Sequence, residues 1–257
     1  MAGVLVQSIV MITDSAFLSR LYDADGIPFV ASGNSGMIYI SSTMFLTGLM
    51  EGAQIIMSRR IGEHKYSEVG RVFRHIILIA LLLGLGILLI HQFVAPAAFD
   101  AIVQNKSIGS AMTEFLSIRS WGIIPMALQI AFSAFYLGTG RSAVFMFASI
   151  LFAASNIFLD YGMIFGNFGL PELGLKGAAY ATVIAEWSGA IFLITYGLLD
   201  KKREKFELFK TIRVEFSIIK RILKLSIPLM LQGMLAMGTW TVFFTMIEHM
   251  GKNELEI

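Results

Sequence analysis

Apolar residues run through this chain in long unbroken blocks, separated by short polar or charged stretches. Seven blocks are long enough to cross a bilayer as helices, which takes roughly 17 to 25 residues each. They lie near Met1–Leu21, Met37–Met57, Ile76–Val94, Phe115–Leu137, Ala143–Phe165, Gly177–Leu199 and Leu225–Ile247. The runs are continuous and do not alternate at every second residue, so they predict helices and not barrel strands. The expected fold is all-α, a polytopic transmembrane helical bundle of six helices plus a seventh. One long charged stretch, Asp200–Lys224, divides the six from the seventh. Its Phe206, Phe209, Ile212, Phe216 and Ile219 stand among basic residues, a pattern that suits an amphipathic helix lying at the membrane surface; a solvated linker fits equally well. The predicted organisation is a six-helix lobe over 1–199, a cytoplasmic amphipathic linker over 200–224, and the first helix of a second lobe over 225–257.

Composition removes the soluble alternatives. Hydrophobic residues make up 56% of the 257 and charged residues 15%, with a mean hydropathy of +0.73. A soluble domain carries about 25% charged residues. With no cysteine, disulfides and thiolate metal sites are excluded. The N-terminal run lacks a basic n-region, so it does not read as a cleavable signal.

Charge placement sets the expected orientation. Fifteen basic residues fall in the loops after the second, fourth and sixth blocks: Arg59, Arg60, Lys65, Arg71, Arg74, then Arg141, then Lys201, Lys202, Arg203, Lys205, Lys210, Arg213, Lys220, Arg221 and Lys224. The opposite side has four, Arg20, Lys106, Lys176 and Lys252, with Arg119 left near a helix end. The positive-inside rule then places the N-terminus in the cytoplasm.

Ionisable groups inside apolar spans are costly and point to function. At about 1.5 Å rise per residue, Asp14 lies ~10 Å from the outer end of the first helix, Asp160 and Asn156 ~8 and ~14 Å from that of the fifth, and Thr182 ~12 Å into the sixth. Two carboxylates, one amide and one hydroxyl thus share an outer-half layer, with Asn156 and Asp160 on one helix face. Hard oxygen donors of this kind suit a small cation such as Na⁺, and protons compete for paired carboxylates. Polar glue between helices is the plainer reading. Glu186, one turn deeper than Thr182, is a further candidate. Glu51 can snorkel to the cytoplasmic surface or pair with Arg59. His91 reads as a wet residue near the outer interface.

Three stretches carry a resemblance. Ala134-Phe-Tyr-Leu-Gly-Thr-Gly-Arg141, Asn156-Ile-Phe-Leu-Asp-Tyr-Gly-Met-Ile-Phe-Gly166 and Pro171-Glu-Leu-Gly-Leu-Lys-Gly-Ala-Ala-Tyr-Ala-Thr182 strongly resemble the multidrug and toxic compound extrusion (MATE) family. Thr13-Asp14-Ser-Ala-Phe-Leu-Ser-Arg20 resembles its first helix. The resemblance implies two six-helix lobes around a central cavity and Na⁺- or H⁺-driven antiport of bulky, often cationic or aromatic compounds out of a bacterial inner membrane. It implies no enzyme activity and no cofactor beyond the coupling ion. It assigns cation binding to Asp14, Asn156, Asp160 and Thr182. It also implies that the chain is a first half: the family's early proline in helix one would precede Met1, and a repeat begins at Ser226-Ile227-Pro228. A flippase for lipid-linked oligosaccharides, of the same superfamily fold, is the alternative; an Arg-rich cavity would favour it, and the spans hold almost no Arg. An intramembrane aspartyl protease lacks its Gly-x-Gly-Asp pattern here, since Asp160 lies between Leu159 and Tyr161. A retinal-type receptor lacks its lysine in the seventh span.

Overall fold

A computed structural model describes the backbone of residues 2–20, 26–211 and 213–250, with side chains described except at 2–8, 11, 237–238 and 240–250. Met1, Leu21, Ile212 and residues 251–257 of the expected elements, Lys252 among them, lie outside these residues. Among the described residues there are seven long helices and one short one, and no strand. They are α1 (Ala2–Leu18), α2 (Ile27–Gly62), α3 (Tyr66–Ile102), α4 (Lys106–Gly138), α5 (Ser142–Phe165), α6 (Leu175–Leu199), α7 (Arg203–Phe206) and α8 (Phe216–Met250). Of these, α3 to α6 are long and apolar enough to cross a membrane by composition alone. The buried face of α2 mixes Ser35, Thr43, Gly48 and Gly52 with Tyr39, Leu46 and Leu49, which lowers its hydropathy without exposing it to lipid.

Two helices depart from the regular ladder. In α3 a π turn spans Ile90–Val94 just before Pro96, whose ring cannot donate to the ladder. In α4 a 3-10 turn spans Ser120–Gly122 and carries the chain past Arg119. Between α5 and α6, Gly166 takes a left-handed conformation (φ 70°) that closes α5.

Close helix approach depends on small residues. A Cβ on Gly48 would lie 2.5 Å from the Met230 nitrogen, and one on Gly52 2.2 Å from Ser226 Oγ, so α8 docks directly onto α2. A Cβ on Gly177 would lie 2.3 Å from the Met163 carbonyl oxygen, which fixes α6 against the end of α5.

The stretch after α6 does not form the surface helix that its pattern allows. Between α6 and Phe216 the described helix is the four-residue α7, and Glu207 then turns left-handed (φ 52°). The turn drives Phe206 and Leu208 into the bundle, where Phe206 meets the rings of Tyr66 and Phe135 at 5.8 and 5.2 Å. Arg74 donates to the Glu207 carbonyl, and His75 Nε2 accepts from the Glu215 amide at 2.9 Å. The last helix starts at Phe216, nine residues before the Leu225 expected from hydropathy. Burial of two apolar side chains outweighs the regular spacing that five apolar residues would otherwise give a surface helix.

Candidate functional site

The structure gathers Asp14, Asn156, Asp160 and Thr182 at one place between α1, α5 and α6. Asn156 and Asp160 are fully buried, Thr182 is buried and Asp14 is half-buried. Asn156 Nδ2 donates to Thr182 Oγ1 at 3.3 Å, while Thr182 donates to the Ala178 carbonyl at 2.8 Å. The Asp14 carboxylate lies near enough to that of Asp160 for their charges to interact, and Asn156 is one turn before Asp160 on the same face of α5. Local packing sets this. Phe17 holds α1 to α5 through Tyr161 and Phe165, at ring distances of 6.0 and 5.8 Å. Leu18, Phe115, Ile164, Ala178 and Ala179 pack together beside the cluster.

Four oxygens here are sealed from the surface and accept no hydrogen bond: Oδ1 of Asp14, both carboxylate oxygens of Asp160, and Oδ1 of Asn156. Buried acceptors without donors are costly, and two neighbouring carboxylates more so. A bound cation or a shared proton relieves both costs. The donors are all oxygen, two anionic and two neutral, which fits a hard ion such as Na⁺. Among the described residues no three His, Cys, Asp or Glu side chains gather as metal ligands.

Glu186 is beside the cluster and differently engaged. Its carboxylate takes both arms of Arg119, at 3.0 and 2.7 Å, and accepts from the Tyr39 hydroxyl at 3.4 Å. The Arg119 guanidinium lies 3.9 Å over the Tyr39 ring. Sequence reasoning left Arg119 aside as a helix-end charge. A signal was available: Arg119 and Glu186 are opposite charges in two apolar runs, and each needs a partner.

Two readings change. Glu51 is exposed on α2 and does not pair with Arg59, whose Nε instead donates to Glu63 Oε1 at 3.1 Å. It lies about 18 Å along the helix from Tyr39, remote from the cluster. His91, expected to be wet, is 3% exposed. The π turn folds it inward to Ser42 (3.0 Å), where both line a cavity of about 430 Å³ with Ile38, Ile90, Phe99 and Met112. That cavity is apart from the carboxylates.

The MatE family profile matches residues 1–162, well over half of the chain. The chain belongs to the MatE family. Among its MatE relatives, a probable multidrug resistance protein NorM of Bacillus anthracis is 30% identical over 203 residues, covering 78% of this chain and 44% of the relative. A probable NorM of Halalkalibacterium halodurans is 28% identical over 207 residues, or 80% and 45%. The chain therefore spans less than half the length of these relatives. In fold it is similar to the outward-facing conformation of a multidrug resistance MATE family transporter of the MOP superfamily: TM-score 0.85, 22% identity, covering 99% of this chain and 55% of that one. A MOP superfamily transporter from Pyrococcus furiosus gives 0.82 at 22% identity over 96% and 53%. Membership makes this a multi-pass membrane protein of a family of transporters and not of enzymes.

Proposed function

We propose that this chain forms the cation-binding lobe of a bacterial inner-membrane efflux transporter, which exchanges Na⁺ or H⁺ for bulky cationic or aromatic compounds. Residues 1–199 would be that lobe, 200–224 a cytoplasmic connection, and 225–257 the start of a second lobe that completes the cavity. One observation carries the reading: four buried oxygens from α1 and α5 have no donor, beside a Thr182 hydroxyl from α6. A cation or proton taken up from outside lifts the repulsion between Asp14 and Asp160 and lets α1, α5 and α6 close together. Closure shrinks the cavity, so cation uptake and drug binding exclude one another. Na⁺ and H⁺ are cargo here, and no other cofactor enters.

Drug efflux from vesicles under an imposed Na⁺ or pH gradient tests the reading, on the protein together with its second lobe. Asp14→Asn and Asp160→Asn keep shape while removing charge, and each should abolish coupled export. Parental export by both variants would reduce the cluster to glue between helices. The orientation, N-terminus inside, rests on the fifteen-to-four basic bias; a reporter fused after Lys205 should read cytoplasmic and one near Asn105 external, and the reverse would overturn it. Nothing among the relatives favours the flippase, and the Arg beside the cluster is already neutralised by Glu186.

A further inference from the structure

We infer that Glu186 acts as a holding partner for Arg119, keeping a tethered positive charge off the Asp14–Asp160 pair and so setting how tightly that pair takes its cation. The inference rests on the cation-site reading above. Arg119 is a permanent cation, because a guanidinium does not lose its proton in a protein. It is mostly buried, as is Glu186, and held by two parallel bonds at 2.7 and 3.0 Å. It also lies within electrostatic reach of both Asp14 and Asp160. A carboxylate is the shape that a guanidinium fork matches, and Glu186, which holds this fork, is one helical turn from Thr182 of the cluster.

The charges present a choice. Asp14, Asp160 and Glu186 supply three negative charges and Arg119 one positive. With Arg119 on Glu186, the aspartate pair keeps its full demand for an incoming cation. With Arg119 on the aspartates, that demand is met from inside the protein and the site is blocked. Several features hold the first arrangement. Tyr39 offers its ring face to Arg119 at 3.9 Å and its hydroxyl to Glu186. Gln129 Nε2 fixes the backbone of α6 by donating to the Glu186 carbonyl at 2.8 Å. The 3-10 turn brings Gly122 so close that a Cβ there would lie 1.8 Å from Glu186 Oε2. Both Glu186 oxygens are occupied, so Glu186 is a positioning residue for the site and not one of its ligands.

A purely structural pair between α4 and α6 would make every disruption destabilising, with no reversal. Competition for one guanidinium makes a different prediction. Cation binding is read on the purified full-length protein in nanodiscs by intrinsic fluorescence, since Trp121 and Trp187 flank the pair in sequence. NaCl is titrated at pH 8 with ionic strength held by choline chloride; acid is titrated in the same way if the parent gives no Na⁺ response. Glu186→Gln releases Arg119 onto the aspartates and should weaken the half-saturating cation concentration at least tenfold. Adding Arg119→Gln to Glu186→Gln removes the competitor and should restore the parental midpoint within about threefold. Arg119→Lys keeps the charge but loses the two-pronged hold, so it too should weaken binding, and it covers the case in which Glu186→Gln does not fold. An unchanged midpoint in a folded Glu186→Gln or Arg119→Lys protein overturns the inference. So does a double variant as weak as Glu186→Gln alone. Asp160→Asn separates the two levels: if it keeps the parental cation response, the cation-site reading itself fails, whatever Glu186→Gln does.

Discussion

Asp14 and Asp160 come from helices separated by three other long helices, yet their carboxylates come near enough for their charges to interact, and Oδ1 of Asp14 and both oxygens of Asp160 accept no hydrogen bond. Two negative charges this near in a poorly solvated site repel, so the empty site is strained when both are ionised. Removing one charge should therefore stabilise the fold. In Na⁺-free buffer at pH 8, Asp160→Asn should melt higher than the parent, by about 1–3 kcal/mol or roughly 2–8 °C. Added NaCl should raise the parental melting temperature and leave that of the variant nearly unchanged. A variant that melts lower than the parent would mean that the pair shares a proton as a stabilising bridge already at that pH.

The four cluster residues were legible because depth along a helix is nearly linear in residue number, and a polar side chain in an apolar run stands out. Asn156 and Asp160 share a face by simple periodicity, and rise per residue brings Thr182 to their level. Glu186 was legible as a candidate but not its engagement, because pairing with Arg119 depends on how α4 crosses α6. The inward turn of His91 depends on a π turn that hydropathy does not register. The sequence left the segment after α6 open between a surface helix and a linker for a related reason. Spacing of apolar residues says which face they share if the segment is helical, and it cannot say that Gly70 leaves a hole for the Phe206 backbone. A Cβ on Gly70 would lie 1.7 Å from the Phe206 carbonyl oxygen.

That close approach gives a second prediction. Phe206→Ala empties a buried site between Tyr66 and Phe135, and Gly70→Ala pushes the same turn out. Large-to-small changes at such sites cost about 3–5 kcal/mol. The cost falls on the docked segment, so both variants should be cut by trypsin between Lys201 and Lys210 well over tenfold faster than the parent, with the helical content of the bundle kept. Parental cleavage rates would show that the segment is held by Arg74 and His75 alone.

The turn between α2 and α3 carries a pH prediction. Lys65, Arg60 and Arg59 surround the exposed Glu63 and hold its carboxyl down at about 2. The pKa is lower in the folded than in the unfolded chain, where a Glu titrates near about 4.3. The stabilisation is thus complete above that value and is lost as pH falls through about 2. Amide exchange at His64 and Lys65, corrected for intrinsic rates, should show constant protection from pH 7 to 5 and a loss only in stronger acid. Glu63→Gln should show the acid-state protection at every pH. Loss of protection in the parent between pH 7 and 5 would overturn the assignment to Glu63.

Asn156 and Thr182 contribute neutral oxygens, and their removal separates the two coupling ions. A proton needs only a carboxylate to sit on. Na⁺ needs several oxygens, because it must replace the water it sheds on entering a buried site. Thr182→Val keeps the branched shape and removes the hydroxyl that accepts from Asn156 Nδ2; Asn156→Ala removes the amide itself. If Na⁺ is the ion, each should raise the half-saturating NaCl concentration by roughly three- to thirtyfold, the loss of one hydrogen-bonding ligand at about 0.5–2 kcal/mol. Asp160→Asn should abolish saturation altogether. If the proton is the ion, Thr182→Val should shift the acid midpoint by less than about twofold, since Thr182 bonds to Asn156 and not to either carboxylate. Asn156→Ala should shift that midpoint more, because Asn156 is one turn from Asp160 on the same face of α5. Parental Na⁺ saturation in both neutral variants, alongside its loss in Asp160→Asn, would leave a two-carboxylate site and remove Asn156 and Thr182 from it.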